Sequence, residues 1–264
     1  MESDIAAGVI RRYDQLESER GTWESHWQEI AERVLPRYHN TFQRGTSTIN
    51  RGEKRTEKMY DSTAALGLER FAAAMESMLT PRNQKWHRLK ASDEVLNQDR
   101  DTKLWFEQAT NILFKARYAP KANYASQQHE VYMALGAFGT GSMFIDFHDD
   151  GGLRYNCVDL REILFDMSHQ GSVDTSYRKF TLTARQMQQR VDAGRWDSLP
   201  DAVSAVVKEH PDRKFDIIHC VKPRAEVHSG KKDFRGKPFT SYYVSVEGKQ
   251  LLSEGGFNTF PYPI

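Results

Sequence analysis

The turn Gly139-Thr140-Gly141 separates two regions of the chain whose apolar residues recur with different periods. Before the turn they recur at the spacing of one helix face: Tyr124, Val131, Tyr132 and Leu135. After it, Met143, Ile145 and Phe147 alternate with their neighbours as in a β-strand. The glycines therefore predict the end of a helix and a sharp turn directly into a sheet.

The same turn has the composition of a nucleotide-binding loop, but its flanking elements stand in the reverse order. A phosphate-binding loop follows a strand and opens a helix, so that free N–H groups at the helix N-terminus meet the anion. Here the glycines follow a helix, whose C-terminus presents carbonyl oxygens and partial negative charge. No lysine follows them either. We interpret Gly139 and Gly141 as structural residues and not as a ligand site.

The N-terminal half of the chain is predicted to be helical. The predicted helices cover residues 2–20, 22–35, 61–79, 99–118 and 123–137, and the long polar segment 40–58 predicts a loop. The buried stripe expected for the helix at 61–79 is Leu68, Phe71, Ala72, Met75 and Leu79. The stripe expected for the helix at 99–118 is Trp105, Ala109, Ile112, Leu113 and Ala116.

The C-terminal half predicts a sheet with flanking helices. The predicted strands lie at 142–148, 153–158, 162–165, 173–182, 214–222, 239–247 and 249–253. Thr183 and Gln186 have the spacing of a capping box for a helix at 184–193, and Pro200 opens another that runs to about residue 209. A helical N-terminal half followed by a mainly antiparallel sheet with flanking helices belongs to the α+β class.

Charge and hydropathy limit the classes of partner. The 264 residues include 37 basic and 36 acidic side chains, so no overall field attracts nucleic acid. No apolar run approaches the roughly 18 residues of a membrane span, and no membrane partner is predicted. Cys157 and Cys220 lie in strand-like segments without metal-ligand spacing. We expect both to be buried, reduced thiols.

One cluster could serve a metal-dependent phosphoesterase, because carboxylates and imidazole can hold a divalent cation. The cluster comprises Asp146, His148 and Asp149. The alternative is a solvated hairpin turn, since the run of Asp and Gly at 149–152 is ordinary turn chemistry. We favour the turn, and we predict no catalytic residue, no cofactor and no metal ion.

Two segments of the chain have a local basic bias. The candidate nucleic-acid contacts in them are Arg51, Lys54, Arg55 and Lys58 in the polar loop, and Lys231 and Lys232 further along. Basic loops can bind phosphates without reading the base sequence. Acidic residues such as Glu53 and Asp233 are interspersed in both segments, so solvated loops are the alternative interpretation.

Four blocks of sequence share the order and spacing of a known family over most of residues 60–264. They are Tyr60–Arg70 continuing to Leu79-Thr-Pro81 and Lys85-Trp86; Ala122–Glu130 through Gly139–Asp146; Leu160–Asp166 with Gly171–Asp174 and Tyr177–Thr183; and Gly255–Ile264. Together these blocks resemble the head-to-tail connector, or portal, family of short-tailed bacteriophages (podoviruses). The first 59 residues carry little of the resemblance.

The resemblance implies a protomer of a dodecameric ring at one capsid vertex, through which viral DNA is packaged and ejected. The implied partners are further copies of the chain, the major capsid and scaffolding proteins, the terminase large subunit, tail adaptor proteins, and duplex DNA bound without sequence specificity. The implied location is the virion, with the host cytoplasm during assembly. No enzyme activity is implied, since ATP hydrolysis would belong to a separate motor. An α+β interaction module of unknown partner is a further alternative.

The resemblance also suggests how the chain is divided. Residues 1–59 would form N-terminal helices and a polar loop, and residues 60–264 a wing-like α+β region that stops before most of the clip, stem and crown. The chain ends on Phe260-Pro-Tyr-Pro-Ile264, which its prolines hold extended. Since chain termini are usually polar, this segment suggests a truncated chain with Phe260, Tyr262 and Ile264 exposed.

Overall fold

The computed structural model describes residues 2–35, 58–148, 150–228 and 230–264. The chain has the predicted α+β fold. Its helical part comprises α1 (Glu2–Glu19), α2 (Gly21–Val34), α3 (Thr63–Leu79), α4 (Arg100–Arg117) and α5 (Tyr124–Phe138). The remainder comprises β1 (Ser142–Phe147), β2 (Leu153–Val158), β3 (Ile163–Met167), β4 (Val173–Thr183), α6 (Ala184–Asp192), α7 (Asp201–Ser204), β5 (Lys214–Pro223), β6 (Phe239–Ser245) and β7 (Gln250–Phe257). Of the predicted polar loop, all but Lys58 lies outside the described residues.

The chain folds as two compact units. The first, here called the sheet unit, comprises Met1–Ser25 and Asp159–Tyr262. The second, here called the helical unit, comprises His26–Val158 and Pro263–Ile264. The division at residue 59 suggested by the family resemblance concerns the parts of a portal protomer, and it stays a prediction.

The sheet unit is built on five antiparallel strands in the order β3-β4-β5-β6-β7. Helix α1 covers one face with a stripe at helical spacing: Ala6, Val9, Tyr13 and Leu16. Helices α6 and α7 contribute to a second cluster, which contains Met187, Trp196 and Val203. Neighbouring residues of β5 belong to different clusters: Ile217 lies in the second and Ile218 in the first. The reason is that successive side chains of a strand point to opposite faces of the sheet.

The predicted capping box at the start of α6 is confirmed. The Thr183 hydroxyl accepts from the Gln186 N–H at 3.3 Å, and the Gln186 side chain accepts from the Thr183 N–H at 2.9 Å. The helix that follows Pro200 is shorter than predicted, since it ends at Ser204 and not near residue 209. Beyond Ser204 the backbone hydrogen bonds form turns, and the β-branched Val206 and Val207 pack against the second cluster, which contains Met187 and Val203.

The two cysteines have different environments. Cys220 is fully buried, and burial raises the pKa of its thiol to about 12. Cys157 on β2 is only half-buried, so the expectation of two buried thiols is wrong for that residue.

The helical unit packs α3 against α5. Leu68 and Ala72 of α3 are buried with Tyr132 and Met133 of α5, and Met75 packs against them. Phe71 and Leu79, both predicted to be buried, are exposed. The buried stripe of α3 is therefore narrower than predicted, with Leu68 and Ala72 buried and Met75 packed against them.

The glycine turn between α5 and β1 is confirmed. Helix α5 ends at Phe138, and its C-cap residue Gly139 has a φ of 78° and donates its N–H to the Leu135 carbonyl oxygen at 3.0 Å. Gly141 is required for a different reason, since a β-carbon there would lie 2.8 Å from the Val131 carbonyl oxygen. One glycine supplies left-handed backbone and the other a close approach of two backbone segments.

We expect Gly139→Val to lower the free energy of unfolding by about 1–2 kcal/mol, because a β-branched residue is strained at positive φ. Gly141→Ala should also destabilise, because its methyl group would overlap a backbone oxygen. Gly67→Ala in α3 is the matched control: a β-carbon there meets no described atom within 4 Å, and alanine is the better helix former. Urea denaturation measures all three variants. Equal stability of Gly139→Val and Gly67→Ala would contradict the turn assignment.

The apolar end of the chain is partly buried, contrary to expectation. Tyr262 has 0% of its surface exposed and Phe260 is half-buried, its ring centroid lying 5.7 Å from that of Phe239. Ile264 is exposed, as predicted. The Tyr262 hydroxyl lies 2.6 Å from Nδ1 of His219, a buried side chain on β5, so its polar atom has a partner inside the protein. None of the described helices combines the length and the apolarity that crossing a membrane requires.

Candidate functional site

The structure describes two members of the candidate phosphoesterase cluster, and each has a protein partner. The Asp146 carboxylate accepts from Arg154 at 3.1 Å, and Nε2 of His148 lies 2.8 Å from the Lys121 carbonyl oxygen. Asp149 lies outside the described residues. Within the described ranges, no group of three or more His, Cys, Asp or Glu side chains is arranged to hold a metal ion. The described geometry therefore gives the phosphoesterase alternative no support.

The candidate nucleic-acid contacts have unequal surroundings. Lys58 lies 2.8 Å from the carboxylate of Glu32, which is buried, so the lysine neutralises an acid of its own chain. Lys231 and Lys232 are exposed in the segment between β5 and β6. Arg51, Lys54 and Arg55 fall outside the described residues. The structure does not bring Lys58 together with the other two lysines in one compact unit, and nucleic-acid contact by these residues stays a prediction.

Helix α4 exposes two of the five residues predicted to be buried on it, Trp105 and Ile112, whereas Ala109, Leu113 and Ala116 are half-buried. Trp105 is 62% and Ile112 is 68% exposed, and seven residues of helix place them on one face. The prediction is wrong for these two residues because packing buries a different face of α4. On that face Thr110 is buried, accepts the Leu89 N–H at 3.0 Å and donates to the Phe106 carbonyl. The face with Trp105 and Ile112, here called the α4 stripe, is therefore a candidate interaction surface.

A cavity of about 610 Å³ lies in the helical unit, beside the glycine turn. We call it the aromatic groove. Its lining includes Trp86, Tyr124 and Tyr155, the polar side chains of Arg117, Gln128 and Thr140, and Ile145 of β1. This size and this mixture of apolar walls with a few polar groups are typical of ligand-binding cavities.

Arg117 is the cation of the aromatic groove. Its guanidinium carbon lies 4.7 Å from the Trp86 ring centroid and 5.5 Å from that of Tyr124. Its Nη1 lies 3.2 Å from Nδ1 of His87. Burial, and then the Arg117 charge, lower the pKa of His87, so the imidazole is neutral and the positive charge of the pair resides on Arg117.

Hydrogen bonds fix the aromatic walls. The Trp86 indole donates to the Tyr118 hydroxyl at 3.0 Å, and that hydroxyl donates to the Thr80 carbonyl oxygen at 3.1 Å. Tyr124 stacks against Trp86 and meets Tyr155 edge to face, with ring centroids 4.9 Å apart in the second pair. The walls are therefore held before any ligand arrives.

No sequence pattern predicted the aromatic groove. Its residues come from α4, α5, β1, β2, the segment before α4, the glycine turn and residues 263–264, and no local period connects them. One signal was available: Trp86 lies in a family-like block, and aromatic residues cluster around position 120. That signal does not predict that the Arg117 guanidinium lies over the rings of Trp86 and Tyr124.

Comparison with known proteins places the chain in a family. A family model described as "Bacteriophage head to tail connecting protein" matches residues 6–264. The chain is 30% identical over 259 residues to a protein of Bordetella phage BPP-1 named "Probable portal protein" and 29% identical over 259 residues to the "Portal protein" of Salmonella phage epsilon15. Each match covers 96% of this chain, but only 44% and 45% of the respective relatives, so the chain spans less than half their length. The chain therefore belongs to the bacteriophage head to tail connecting protein family.

Proposed function

We propose that this chain is part of a portal protomer, which assembles with further copies into a ring at one capsid vertex through which viral DNA is packaged and ejected. The observation that carries the proposal is the family match over residues 6–264, together with two portal proteins as relatives over 96% of the chain. On this proposal the protein acts in the virion and its role is structural. The major capsid and scaffolding proteins, the terminase large subunit and tail adaptors are its proposed partners.

The charge of the chain suits a conduit for DNA. With 37 basic and 36 acidic residues, the chain has no field strong enough to hold duplex DNA tightly. Contact with DNA would be local and independent of base sequence, as expected for exposed lysines such as Lys231 and Lys232.

The α4 stripe is the proposed contact with a second copy of the chain. A ring closes through heterologous interfaces, in which one patch of each protomer meets a different patch of its neighbour. Tryptophan is enriched in the centres of such interfaces, whereas an exposed Trp105 with Ile112 beside it on the same face is unfavourable in a free monomer. The stripe is thus a surface that ring assembly would cover.

We expect the protein expressed from its complete gene to form closed rings in negative stain, and the double variant Trp105→Ser/Ile112→Ser to form fewer. Both substituted side chains are exposed, so the stability of the protomer should change by only about 0.5 kcal/mol while association weakens. Glu107→Ser is the matched control, because residue 107 is exposed on the opposite side of α4. Sedimentation velocity quantifies the assembled fraction of each protein.

Two outcomes separate the parts of this proposal. Rings formed equally well by the double variant and by Glu107→Ser would remove the α4 stripe from the interface and leave the portal assignment intact. A monodisperse monomer from the complete protein, at every salt and protein concentration tried, would overturn the portal assignment itself.

A further inference from the structure

We propose that the aromatic groove of the helical unit binds an extended acidic peptide segment of another protein, with a carboxylate on Arg117 and the peptide backbone on the outer edge of β1. The proposal concerns a binding site and a class of ligand, and it does not depend on ring formation. Three features of the groove support it: an arginine without a carboxylate partner, an incompletely paired strand edge, and preformed apolar walls.

Arg117 supplies the charge complementarity. Among the described residues, no carboxylate forms an ion pair with it, and its contacts are His87 and the rings of Trp86 and Tyr124. A guanidinium that lies over aromatic faces keeps its N–H edge available and loses little freedom on binding. Its planar fork matches a carboxylate in two-point geometry. The groove therefore favours an anionic group at this position.

The outer edge of β1 supplies backbone hydrogen bonds. In the described part of the chain, β1 pairs with β2 alone, as one half of a two-stranded sheet. The Met143 N–H points away from β2 and donates to the Pro263 carbonyl oxygen at 3.1 Å, so the edge of β1 that faces away from β2 already pairs with one stretch of extended chain. Alternate residues of an antiparallel strand direct their N–H and C=O groups to the same side. The backbone groups of Ile145 therefore point outward too, where an added strand could pair with them.

The walls of the groove accommodate the side chains of such a strand. Met143 and Ile145 pack with Tyr124 and Tyr155 on the inner side, while Gln128 and Thr140 add polar groups near the glycine turn. Apolar side chains on alternate positions of a peptide would enter between these walls, as in other cases of strand addition. A nucleotide suits the groove less well, since the guanidinium of Arg117 already occupies the Trp86 face on which a base would stack.

The test is selection from a random twelve-residue peptide library displayed on phage, with the 264-residue chain as bait. We expect recovered peptides to be enriched in Asp or Glu between apolar residues. Synthetic versions should bind the chain and lose about tenfold in affinity or more when the acid is replaced by its amide. Hydrogen exchange should slow in residues 142–147 when the peptide is bound.

Two variants locate the site. Arg117→Gln should weaken the recovered peptides as much as amidation does, while the amidated peptides should bind this variant and the unmodified chain equally. Leu135→Trp leaves the charge unchanged and narrows the groove at an exposed lining position, so it should weaken both peptide forms. Thermal melting checks that each variant is folded. If Arg117→Gln does not fold, Arg117→Lys takes its place, because lysine keeps the charge.

The proposal is overturned if no peptide is recovered, if the recovered peptides show no acidic enrichment, or if they bind Arg117→Gln as tightly as the unmodified chain. It is also overturned if the chain associates with itself in sedimentation and Leu135→Trp abolishes that association, because the groove would then receive a second copy. Ring formation by the complete protein is measured separately, so failure here leaves the portal proposal intact.

Discussion

Replacing Arg20 by methionine is expected to lower the free energy of unfolding by about 3–5 kcal/mol, the usual cost of removing one partner of a buried ion pair. Arg20 lies between α1 and α2, and its side chain is 11% exposed. Its Nη1 donates to the carbonyl oxygens of Leu160 and Ile163, each at 2.7 Å, and its Nη2 donates to that of Arg161 at 3.1 Å. One guanidinium therefore satisfies two carbonyls of the turn that leads into β3 and the carbonyl of the first residue of that strand.

The carboxylate of Glu24 makes the loss larger. It accepts from Nε and Nη2 of Arg20 at 3.0 and 2.8 Å, and its side chain is only 9% exposed. Without the guanidinium, a buried carboxylate loses its cation and the turn carbonyls lose their donor. Methionine retains much of the apolar length of arginine, so the measured loss reports polar contacts more than packing.

Urea denaturation of a double-mutant cycle measures this effect. Arg20→Met and Glu24→Gln should each destabilise, and the double variant should lose less than the sum of the two. The matched control is Arg33→Met, since Arg33 pairs with Glu29 at 2.8 Å within α2, but with side chains 60% and 56% exposed. That pair should contribute about 0.5 kcal/mol or less. Losses of similar size at Arg20 and Arg33 would show that the Arg20 contacts add no stability.

Arg20 illustrates what sequence patterns omit. Helical periodicity correctly predicts that residue 20 lies at the end of a helix, but no nearby residue indicates that its side chain reaches a turn 140 residues away in the chain. In contrast, the capping box at Thr183 and the glycine turn at Gly139 were predicted correctly. Both depend on residues within a few positions of one another, so the sequence contains all of their determinants.

Helix α4 shows a second limit. Its extent was predicted to within one or two residues, since periodicity and the N-cap at Asp99 define it. Its orientation was not, because apolar residues lie on two faces and packing decides which one is buried. The structure buries the face with Thr110 and exposes Trp105 and Ile112.

The family could be predicted from sequence, whereas the candidate binding sites could not. The family-like blocks follow one another along the chain, and order and spacing are properties of sequence. The aromatic groove depends on Arg117 lying over Trp86, two residues that are 31 positions apart and belong to different segments. Such a pair is created by tertiary packing, and a single sequence gives no period from which to infer it.

Replacing Tyr262 by alanine is expected to cost about 3–5 kcal/mol, as for other large aromatic side chains removed from a core. Tyr262 is fully buried, and its hydroxyl lies 2.6 Å from Nδ1 of His219. Nε2 of the same imidazole lies 2.8 Å from the Ser241 hydroxyl, and the ring stacks on Tyr243 with centroids 4.1 Å apart. Tyr262 thus closes a buried polar network and fills the space beside it.

Tyr262→Phe separates the two contributions, since it keeps the ring and removes only the hydroxyl. It should cost about 1–3 kcal/mol, the penalty for leaving a buried polar atom without a partner. Ile264→Ala is the control, because that side chain is exposed, and it should change stability by about 0.5 kcal/mol or less. Urea denaturation near pH 7.5 measures the three variants. If Tyr262→Ala proved as mild as Ile264→Ala, the burial of the terminal segment in the sheet unit would be wrong.

The dependence on pH tests the same network independently. Complete burial, followed by the charges of Arg178 and Arg190, holds the pKa of His219 well below its usual value, so the imidazole is neutral in the folded protein. The unfolded chain instead binds a proton at this histidine as the pH falls through about 6.5. The contribution of His219 to the free energy of unfolding is therefore fully present above that pH. It is lost below that pH, by about 1.4 kcal/mol per pH unit, until the folded pKa is reached.

The variant His219→Gln cannot bind the proton, so the difference in the free energy of unfolding between the unmodified chain and this variant should narrow from pH 7.5 to pH 5. A difference that stays constant over this range would mean that the folded protein binds the proton at His219 as readily as the unfolded chain does, and the neutral imidazole of this network would then be wrong.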